Sequence, residues 1–410
     1  MKKQPLPLTG IRVVDYSHYL AGPFMSRALA SMGAEVIKVE RPKLGDAGRR
    51  HPYFVGDHSG YFLQQNMGKK GLCLDLRQEQ GRELMQRLIK TADVFVENYR
   101  PGALKKFGLG YEDLARVNPR LVYCSVSAYG QTGPDAERAG FGLIAEAKSG
   151  AMAMVGTPGE APPLFRMPLA DMYTGAHGIA AICAALFGRE RSGEGQQLDL
   201  ALYDCMVSMH DFAVQAYSLS DGKVMPVRAG SDQPDSTVYG AFAAPDGYLV
   251  IAAQVDEIWA KLSALIGGAG LAADTRFQSA AGRNNHREEV TGLVRAWTMA
   301  QPSVAACMAA LDAAGVPAAP VQTIDQVMDD PQIAARGMIL EQNHPELGKV
   351  RLPNLPFNFS ACDKSTPSIA PELGQHNAEI AAELGFSEDE IMAMEASGAL
   401  YAAKQAVAPV

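Results

Sequence analysis

The first forty residues alternate between extended and helical patterns, and this alternation limits the fold more than any other feature of the sequence. Residues 10–17 and 34–40 are runs rich in Val and Ile that predict β-strands. Between them, residues 20–33 predict a helix, with Pro23 near its start and a glycine at its end. Such a unit forms a right-handed crossover whose two strands lie parallel in one sheet. The sequence therefore predicts an α/β protein with a parallel sheet covered by helices.

The same alternation continues through the first half of the chain. A long run, residues 41–60, is polar and Gly-rich and predicts a loop, whereas residues 79–91 predict a helix. Four further runs predict strands: residues 66–76, 93–102, 120–129 and 195–202. Three strands of this half end in polar or Gly-rich loops, whereas residues 195–202 lead into a predicted helix that is rich in Met and aromatic residues. Because open α/β sheets bind ligands at the carboxyl ends of their strands, the site is expected there.

The turn after the first strand argues against a dinucleotide cofactor. It reads Ser17-His-Tyr-Leu-Ala-Gly-Pro23 and lacks the three glycines that let a pyrophosphate approach the backbone. The topology is therefore expected to hold without NAD.

Composition and spacing predict three parts and exclude several function classes. A Gly-, Asp- and Pro-rich stretch near residue 221 divides a large domain (1–220) from a small one (221–330), and residues 331–410 are expected to return to the large domain. The net charge of −8 argues against nucleic-acid binding. We find neither a signal peptide nor an apolar run of about 18 residues, so no membrane is expected. The six cysteines are scattered, without metal-ligand spacing, which favours a cytoplasmic protein without disulfides or a metal.

Asp171 is the carboxylate around which a function can be built. A helix is expected to start at Asp171 or one residue later and to run to about Gly188. At that place the helix dipole would favour the ionised carboxylate. An Asp before a helix is most often only an N-cap. Gly175 and Gly178, however, keep side-chain bulk away from the first turns, so a small ligand group could reach the carboxylate.

Basic residues cluster where loops begin, which suggests an anionic small molecule in an otherwise acidic protein. Ordinary solvated surface charge is the equal alternative for each group. Tyr99 beside Asn98 offers a flat face and a polar group for a nucleotide base, although Tyr99 could equally be a packed strand end. The basic residues are Arg41, Lys43, Arg49, Arg50, Lys69, Lys70, Arg100, Lys105 and Lys106.

Taken together, nine short segments, in order along nearly the whole chain, resemble the family III CoA-transferases. This is the group that contains formyl-CoA:oxalate CoA-transferase, carnitine CoA-transferase and α-methylacyl-CoA racemase. The segments are Gly10-Ile-Arg-Val-Val-Asp15, Leu20-Ala-Gly-Pro23, residues 33–42, Leu74-Asp-Leu76, Val96-Glu-Asn-Tyr-Arg-Pro-Gly102, Gly108-Leu-Gly-Tyr111, Gly130-Gln-Thr-Gly-Pro134, Asp171 with the small-residue helix after it, and Leu373-Gly-Gln-His376.

The resemblance implies a large domain with a Rossmann-like sheet, a smaller α+β domain, and two subunits threaded through each other as interlocked rings. It places the catalytic aspartate at Asp171. It implies CoA or acyl-CoA as substrate, a small carboxylic acid as acceptor, such as succinate, glutarate or oxalate, and no tightly bound cofactor. The positions that match its CoA-binding segments are His18, Leu20, Ala21, Arg41, Lys69, Lys70, Asn98, Tyr99, Arg100, Lys106, Tyr129 and Gly130.

The same resemblance implies covalent chemistry on Asp171. The carboxylate attacks a thioester, forms a mixed anhydride and then an aspartyl-CoA thioester, and backbone N–H groups at the helix start are expected to hold the oxyanion. The racemase branch needs a His-Asp pair where this chain has Phe141 and Gly142, and neither residue can move a proton. A transferase is therefore expected, with an acyl-CoA racemase or a non-catalytic CoA-binding protein as the alternatives.

Overall fold

The first half of the chain forms one parallel sheet and the helices that cover it. The computed structural model describes residues 3–51 and 53–402. Short 3-10 turns lie at Ala47–Arg50, Lys105–Phe107 and Ala151–Ala153. The helices and strands of this half are β1 (Arg12–Tyr16), α1 (Ala21–Ser31), β2 (Glu35–Glu40), β3 (Phe54–Val55), β4 (His58–Ser59), α2 (Gly60–Asn66), β5 (Lys70–Cys73), α3 (Glu79–Thr91), β6 (Val94–Glu97), α4 (Tyr111–Val117), β7 (Val122–Ser127), α5 (Gly142–Lys148), α6 (Leu169–Ser192), β8 (Gln196–Ala201) and α7 (Leu202–Ser208).

The sheet has six strands in the order β5-β2-β1-β6-β7-β8. Every neighbouring pair is parallel, which confirms the α/β prediction. Buried apolar side chains hold helices on both faces. Met25 of α1 and Ile182 of α6 pack on one face, and Leu84 of α3 and Leu114 of α4 pack on the other. Both faces are covered because neighbouring residues of each strand point to opposite sides.

A second unit lies in the middle of the chain and has its own core. Its three-stranded antiparallel sheet has the order β11-β10-β9. Phe242, Trp259, Val290 and Leu311 are among the buried residues that hold helices against this sheet. Its elements are α8 (Ala213–Leu219), β9 (Tyr239–Ala244), β10 (Gly247–Ala252), α9 (Asp256–Ala272), α10 (Ala280–Asn285), α11 (Arg287–Ala300), α12 (Val304–Ala314), β11 (Ala318–Pro320), α13 (Ile324–Met328) and α14 (Pro331–Arg336).

The borders of the two units differ from the domain borders predicted at residues 220 and 330. The large unit comprises residues 1–151, 165–211 and 335–410, and the small one residues 152–164 and 212–334. The excursion 152–164 was not expected. It belongs to the small unit because Gly230 N–H donates to Gly156 O at 3.0 Å and Arg228 donates to Glu160 O.

The last part of the chain covers the outer edge of the parallel sheet. The N–H of Cys73 in β5 donates to Asn377 Oδ1 at 2.8 Å, and the carbonyl of Cys73 accepts from Tyr401 N–H at 3.1 Å. Ser387 caps the final helix through a capping box with Glu390, as its position predicts. The elements are β12 (Ile339–His344), β13 (Gly348–Pro353), α15 (Asn377–Glu383) and α16 (Glu388–Ser397).

Three predicted elements need correction. The loop 41–60 contains the β3–β4 hairpin and leads into α2, whose start is fixed by the side chain of Ser59. The Met- and aromatic-rich run from Tyr203 to Leu219 predicts one helix, but the structure divides it into α7 and α8. Helix α6 starts before Asp171 and is long and apolar enough, by length and composition alone, to span a membrane. Asp171 and the charges near the end of α6 interrupt the apolar residues, so the sequence shows no continuous apolar run here. In the large unit α6 packs on α1, α5, α7 and the sheet.

Candidate active site

A cavity of about 490 Å³ opens at the carboxyl ends of the central strands, where the sequence predicts the site. The loops after β1, β2 and β6 form its walls, and the end of β7 and the start of α7 complete them. Of the residues singled out from the sequence, the cavity brings together His18, Ala21, Arg41, Asn98, Tyr99, Arg100 and Asp171.

Asp171 is the third residue of α6, and it is not the N-cap, which is Pro168. Its Oδ2 lies against the main chain at the start of α5. A Cβ atom on Gly142 would come within 2.1 Å of this oxygen, closer than real contacts allow. The glycine therefore gives the carboxylate the room in which it lies.

The N–H groups at the start of α6 have partners of their own. Leu169 N–H donates to Met167 O at 2.9 Å, and Met172 N–H donates to Pro168 O at 3.0 Å. Ala170 N–H donates to Glu146 Oε1 at 3.2 Å. The first turn of α6 is thus not a set of free donors, in contrast to the expected oxyanion site.

The charge environment of Asp171 is also opposite to the expected one. Burial first, and then the charge of Glu146, raise the pKa of Asp171 from 3.8 to about 6. The helix dipole was expected to favour the ionised form, but burial and the charge of Glu146 outweigh it. Asp171 is therefore ionised above about pH 6 and is a more basic carboxylate than an exposed aspartate.

Glu146 of α5 is the acidic side chain that contacts the first turn of α6 at Ala170, next to Asp171 in the chain. It is 3% exposed and accepts the N–H of Ala170 at 3.2 Å. Glu146 and Gly142 are four residues apart on α5, so they lie on the same face of this helix. Both face the first turn of α6.

Asn98 holds the loop that carries His18. Its side chain accepts the N–H of His18 at 2.8 Å and donates to the carbonyl of His18 at 2.7 Å. The ring of Tyr99 lies 4.9 Å from that of His18 and 5.2 Å from that of Tyr16. Burial lowers the pKa of His18, so its imidazole is neutral at pH 7. Tyr99 is thus both a packed strand end and one wall of the cavity.

A buried ion network supports the floor of the site and contains one predicted CoA contact. Lys69 is 2% exposed, and its Nζ lies 2.9 Å from Asp15 Oδ2. Lys38 pairs with Asp46 at 2.8 Å, and Asp46 Oδ1 accepts the N–H of Tyr19 at 3.0 Å. Lys69 therefore has its partners inside the fold and does not face the cavity.

The other predicted CoA-binding residues lie outside the cavity lining. Lys70 pairs with Glu35 at 2.9 Å and with Glu379 at 2.7 Å. Leu20 is buried at the start of α1. The remaining positions are Lys106, which is exposed, Tyr129, whose ring lies 4.6 Å from Lys148 Nζ, and Gly130, whose N–H donates to Ser127 Oγ at 2.9 Å.

Sequence reasoning missed several residues that line the same cavity. Ser17, Tyr19, Asp46 and Ala47 are among them. A signal existed for the network beneath them, because charged residues such as Lys38 interrupt strands that are otherwise apolar. No comparable signal marks Tyr19, whereas Phe141 was noted from the sequence only for its place in the racemase comparison.

Within the described part of the chain, one group of side chains has the composition of a metal site. Ligand atoms of His58, His344 and Glu372 lie within 4.8 Å of one another. His58 Nε2 already lies 2.8 Å from Glu346 Oε2. His344 Nδ1 accepts two backbone N–H groups at 3.3 Å, so its neutral ring carries the proton on Nε2. The absence of a metal from this protein stays a prediction.

The fold and the cavity together define an α/β protein that presents a basic, partly buried carboxylate in a cleft at the strand ends. Comparison with known proteins identifies the family to which the chain belongs. The chain belongs to CoA-transferase family III, whose model matches residues 8–377, and this confirms the resemblance. It is an enzyme of the CoA-transferase class.

Relatives of known activity match along almost their whole length. The chain is 35% identical over 400 residues to the succinyl-CoA–D-citramalate CoA-transferase of Chloroflexus aurantiacus, covering 96% of this chain and 98% of that one. It is 35% identical to the succinate–glutarate CoA-transferase of Agrobacterium fabrum, covering 94% and 97%. A crystal structure of a CAIB/BAIF family protein from Brucella suis is similar with a TM-score of 0.83 at 38% identity, covering 93% of this chain and 100% of that chain.

Proposed function

We propose that the enzyme moves CoA from an acyl-CoA thioester to a small carboxylic acid, with Asp171 as the nucleophile. One observation carries this proposal. Asp171 lines the cavity formed by the strand-end loops, and its carboxylate oxygen lies against the main chain at Gly142. A carboxylate in that position is able to meet a thioester bound in the cavity.

The first half of the reaction loads the enzyme. The Asp171 carboxylate attacks the thioester carbonyl, the C–S bond breaks, and CoA leaves as a thiolate while a mixed anhydride remains on the enzyme. The thiolate then attacks the aspartyl carbonyl, and the donor leaves as a free carboxylate. The product is an aspartyl-CoA thioester.

The second half repeats these exchanges with the acceptor. Its carboxylate attacks the aspartyl thioester and releases the CoA thiolate, which gives a second anhydride. The thiolate attacks the acyl carbonyl of the acceptor, and Asp171 returns as a carboxylate. Because each step exchanges one acyl bond for another, neither water nor an outside proton donor is consumed.

Binding of CoA is assigned to the residues that share the cavity with Asp171. Arg41 and Arg100 are exposed at its rim, where cations attract the phosphates of CoA. His18, Ala21, Asn98 and Tyr99 line the wall, and the neutral imidazole and the tyrosine ring suit an uncharged part of the ligand.

Short dicarboxylic acids are the acceptors we propose first. Two relatives carry D-citramalate and glutarate in their names, with succinyl-CoA or succinate as the other partner. Succinyl-CoA is therefore the donor with which to begin, and glutarate the acceptor. A cytoplasmic location is part of the same proposal, in keeping with the scattered cysteines.

We also propose that the enzyme is a homodimer with interlocked subunits. In the large unit, α6 is an apolar helix, yet only 39% of its most apolar 18-residue window is buried. Phe187 on this helix is 67% exposed. Exposed apolar surfaces of this kind are typical of protein–protein interfaces, and we assign this one to contact with a second copy of the chain. Sedimentation equilibrium should give twice the mass of 43.8 kDa.

The proposal is tested by trapping the enzyme. The protein is incubated with succinyl-CoA, quenched with hydroxylamine or borohydride, and digested for mass spectrometry. The expected modification lies on Asp171 and is absent in Asp171→Asn. An unmodified Asp171 across a panel of acyl-CoA donors would reject the mechanism, and uptake of deuterium at the α-carbon without acyl exchange would favour a racemase.

A further inference from the structure

One buried carboxylate near the site has no role in the steps above. Glu146 is 3% exposed and lies on α5, while Asp171 lies on α6. A buried acid close to a second acid is unfavourable for folding unless it is compensated. The position of Glu146 therefore calls for an explanation.

The geometry places this acid next to the nucleophile. Gly142, one helical turn before Glu146 on the same face, lies against Asp171 Oδ2. Glu146 Oε1 accepts the N–H of Ala170, the residue before Asp171, at 3.2 Å. It thus supplies a hydrogen-bond partner for one of the N–H groups that a helix start otherwise leaves open.

We propose that Glu146 is a positioning residue that fixes the first turn of α6 through Ala170 and, by its charge, favours the covalent states of Asp171 over the free carboxylate. This inference rests on the proposed function. In the free enzyme the charge of Glu146 acts against ionisation of Asp171. In the anhydride and the thioester Asp171 is uncharged, so the repulsion between the two groups disappears.

The consequence for the reaction follows from this difference. Repulsion raises the free energy of the unreacted enzyme and not that of the acylated one. It also makes Asp171 more basic, and a more basic carboxylate is a stronger nucleophile. The hydrogen bond to Ala170 contributes separately, because it holds the turn on which Asp171 lies.

Glu146→Gln separates the two contributions. The amide oxygen still accepts from Ala170 N–H, but the charge is gone. The acid limb of kcat/KM should shift to lower pH, and the single-turnover rate of acylation by succinyl-CoA at pH 8 should fall by up to about tenfold, because one pKa unit is a factor of ten in proton affinity. The fraction of enzyme held as aspartyl-CoA thioester at equilibrium should fall with it.

Two further variants complete the test. Glu146→Ala loses both the charge and the hydrogen bond, so it should also unfold at a lower temperature than Glu146→Gln. Glu395→Gln removes an exposed glutamate of α16 and should leave the pH profile and the trapped fraction unchanged.

The outcomes distinguish this inference from the proposed function. If the wild type acylates Asp171 and Glu146→Gln has the same pH profile and trapped fraction, the inference is wrong and the transferase mechanism stands. If the wild type does not acylate Asp171 with any donor, both fail. A shifted acid limb in a folded Glu146→Gln enzyme supports the inference, because a purely structural role would not move it.

Discussion

Replacement of Gly142 by alanine tests whether the position of the Asp171 carboxylate matters. The added Cβ would lie 2.1 Å from Asp171 Oδ2, whereas real Cβ contacts are almost never shorter than 3.0 Å. The oxygen must therefore move by at least the difference, about 0.9 Å. A short side chain can make this movement by rotation, so the clash is relieved at the carboxylate and the fold is kept.

The substitution should lower the rate of acylation strongly and change the stability of the fold little. A displacement of roughly 1 Å at a reacting group lowers a rate by about 10²-fold. Alanine is better than glycine by about 0.5–1 kcal/mol in the middle of a helix, and at the first position of α5 the smaller gain offsets only part of the strain. We therefore expect a folded Gly142→Ala protein with a melting temperature close to that of the wild type and a greatly reduced rate of acylation.

The assay is single-turnover acylation by succinyl-CoA, followed by intact-mass spectrometry at pH 8 and accompanied by thermal unfolding. Gly292→Ala is the matched control, because Gly292 lies inside α11 and an added Cβ there meets nothing within 4 Å. The control should acylate at the wild-type rate. Wild-type acylation by Gly142→Ala would refute the assigned position of the nucleophile.

Three further predictions concern charge. Because the pKa of Asp171 is raised to about 6, kcat/KM should fall as pH drops through about 6. At pH 8 the buried, ionised carboxylate destabilises the folded protein, so Asp171→Asn should raise the free energy of unfolding by on the order of 2 kcal/mol. This gain in stability should vanish below about pH 4, because Asp171 is then protonated in both the folded and the unfolded chain: its pKa is about 6 in the former and 3.8 in the latter. Urea titrations at pH 8 and at pH 4 check this. Lys69→Met removes a buried partner of Asp15 and should lower the free energy of unfolding by about 3 kcal/mol. If the variant instead has a raised KM for acyl-CoA and an unchanged urea unfolding curve, Lys69 binds CoA and the buried role is wrong. Arg41→Gln should raise the KM for acyl-CoA by about tenfold, with less effect at high salt and an unchanged melting temperature; an unaltered KM would remove Arg41 from the CoA site.

Local patterns predicted the elements that carry strong periodicity. Helix α3 has the predicted bounds, and the strand–helix–strand unit at the start of the chain lies where the alternation places it. Helices α2 and α5 were missed because each is only one to two turns long and begins with a glycine, which weakens the helical signal. Periodicity therefore predicts the layers of the fold better than it predicts such short helices.

The electrostatics of the site were less accessible from the sequence. Asp171 was identified, but the direction of its pKa shift was not, because burial and Glu146 depend on a contact between α5 and α6. Lys69 and Arg41 both looked like cations at loop starts. Only the three-dimensional structure distinguishes the first, which is enclosed with Asp15, from the second, which is exposed at the cavity.

The outer edge of β5 has a consequence for how the protein is made. Its partners Asn377 and Tyr401 lie in the last segment of the large unit, far behind β5 in the order of synthesis. At roughly 5–20 residues per second, the ribosome needs tens of seconds to pass from β5 to these residues. Throughout that interval the growing chain presents an open strand edge, to which other nascent chains can add. Chaperones that shield unpaired strands would therefore act on this protein until its last helices have left the ribosome.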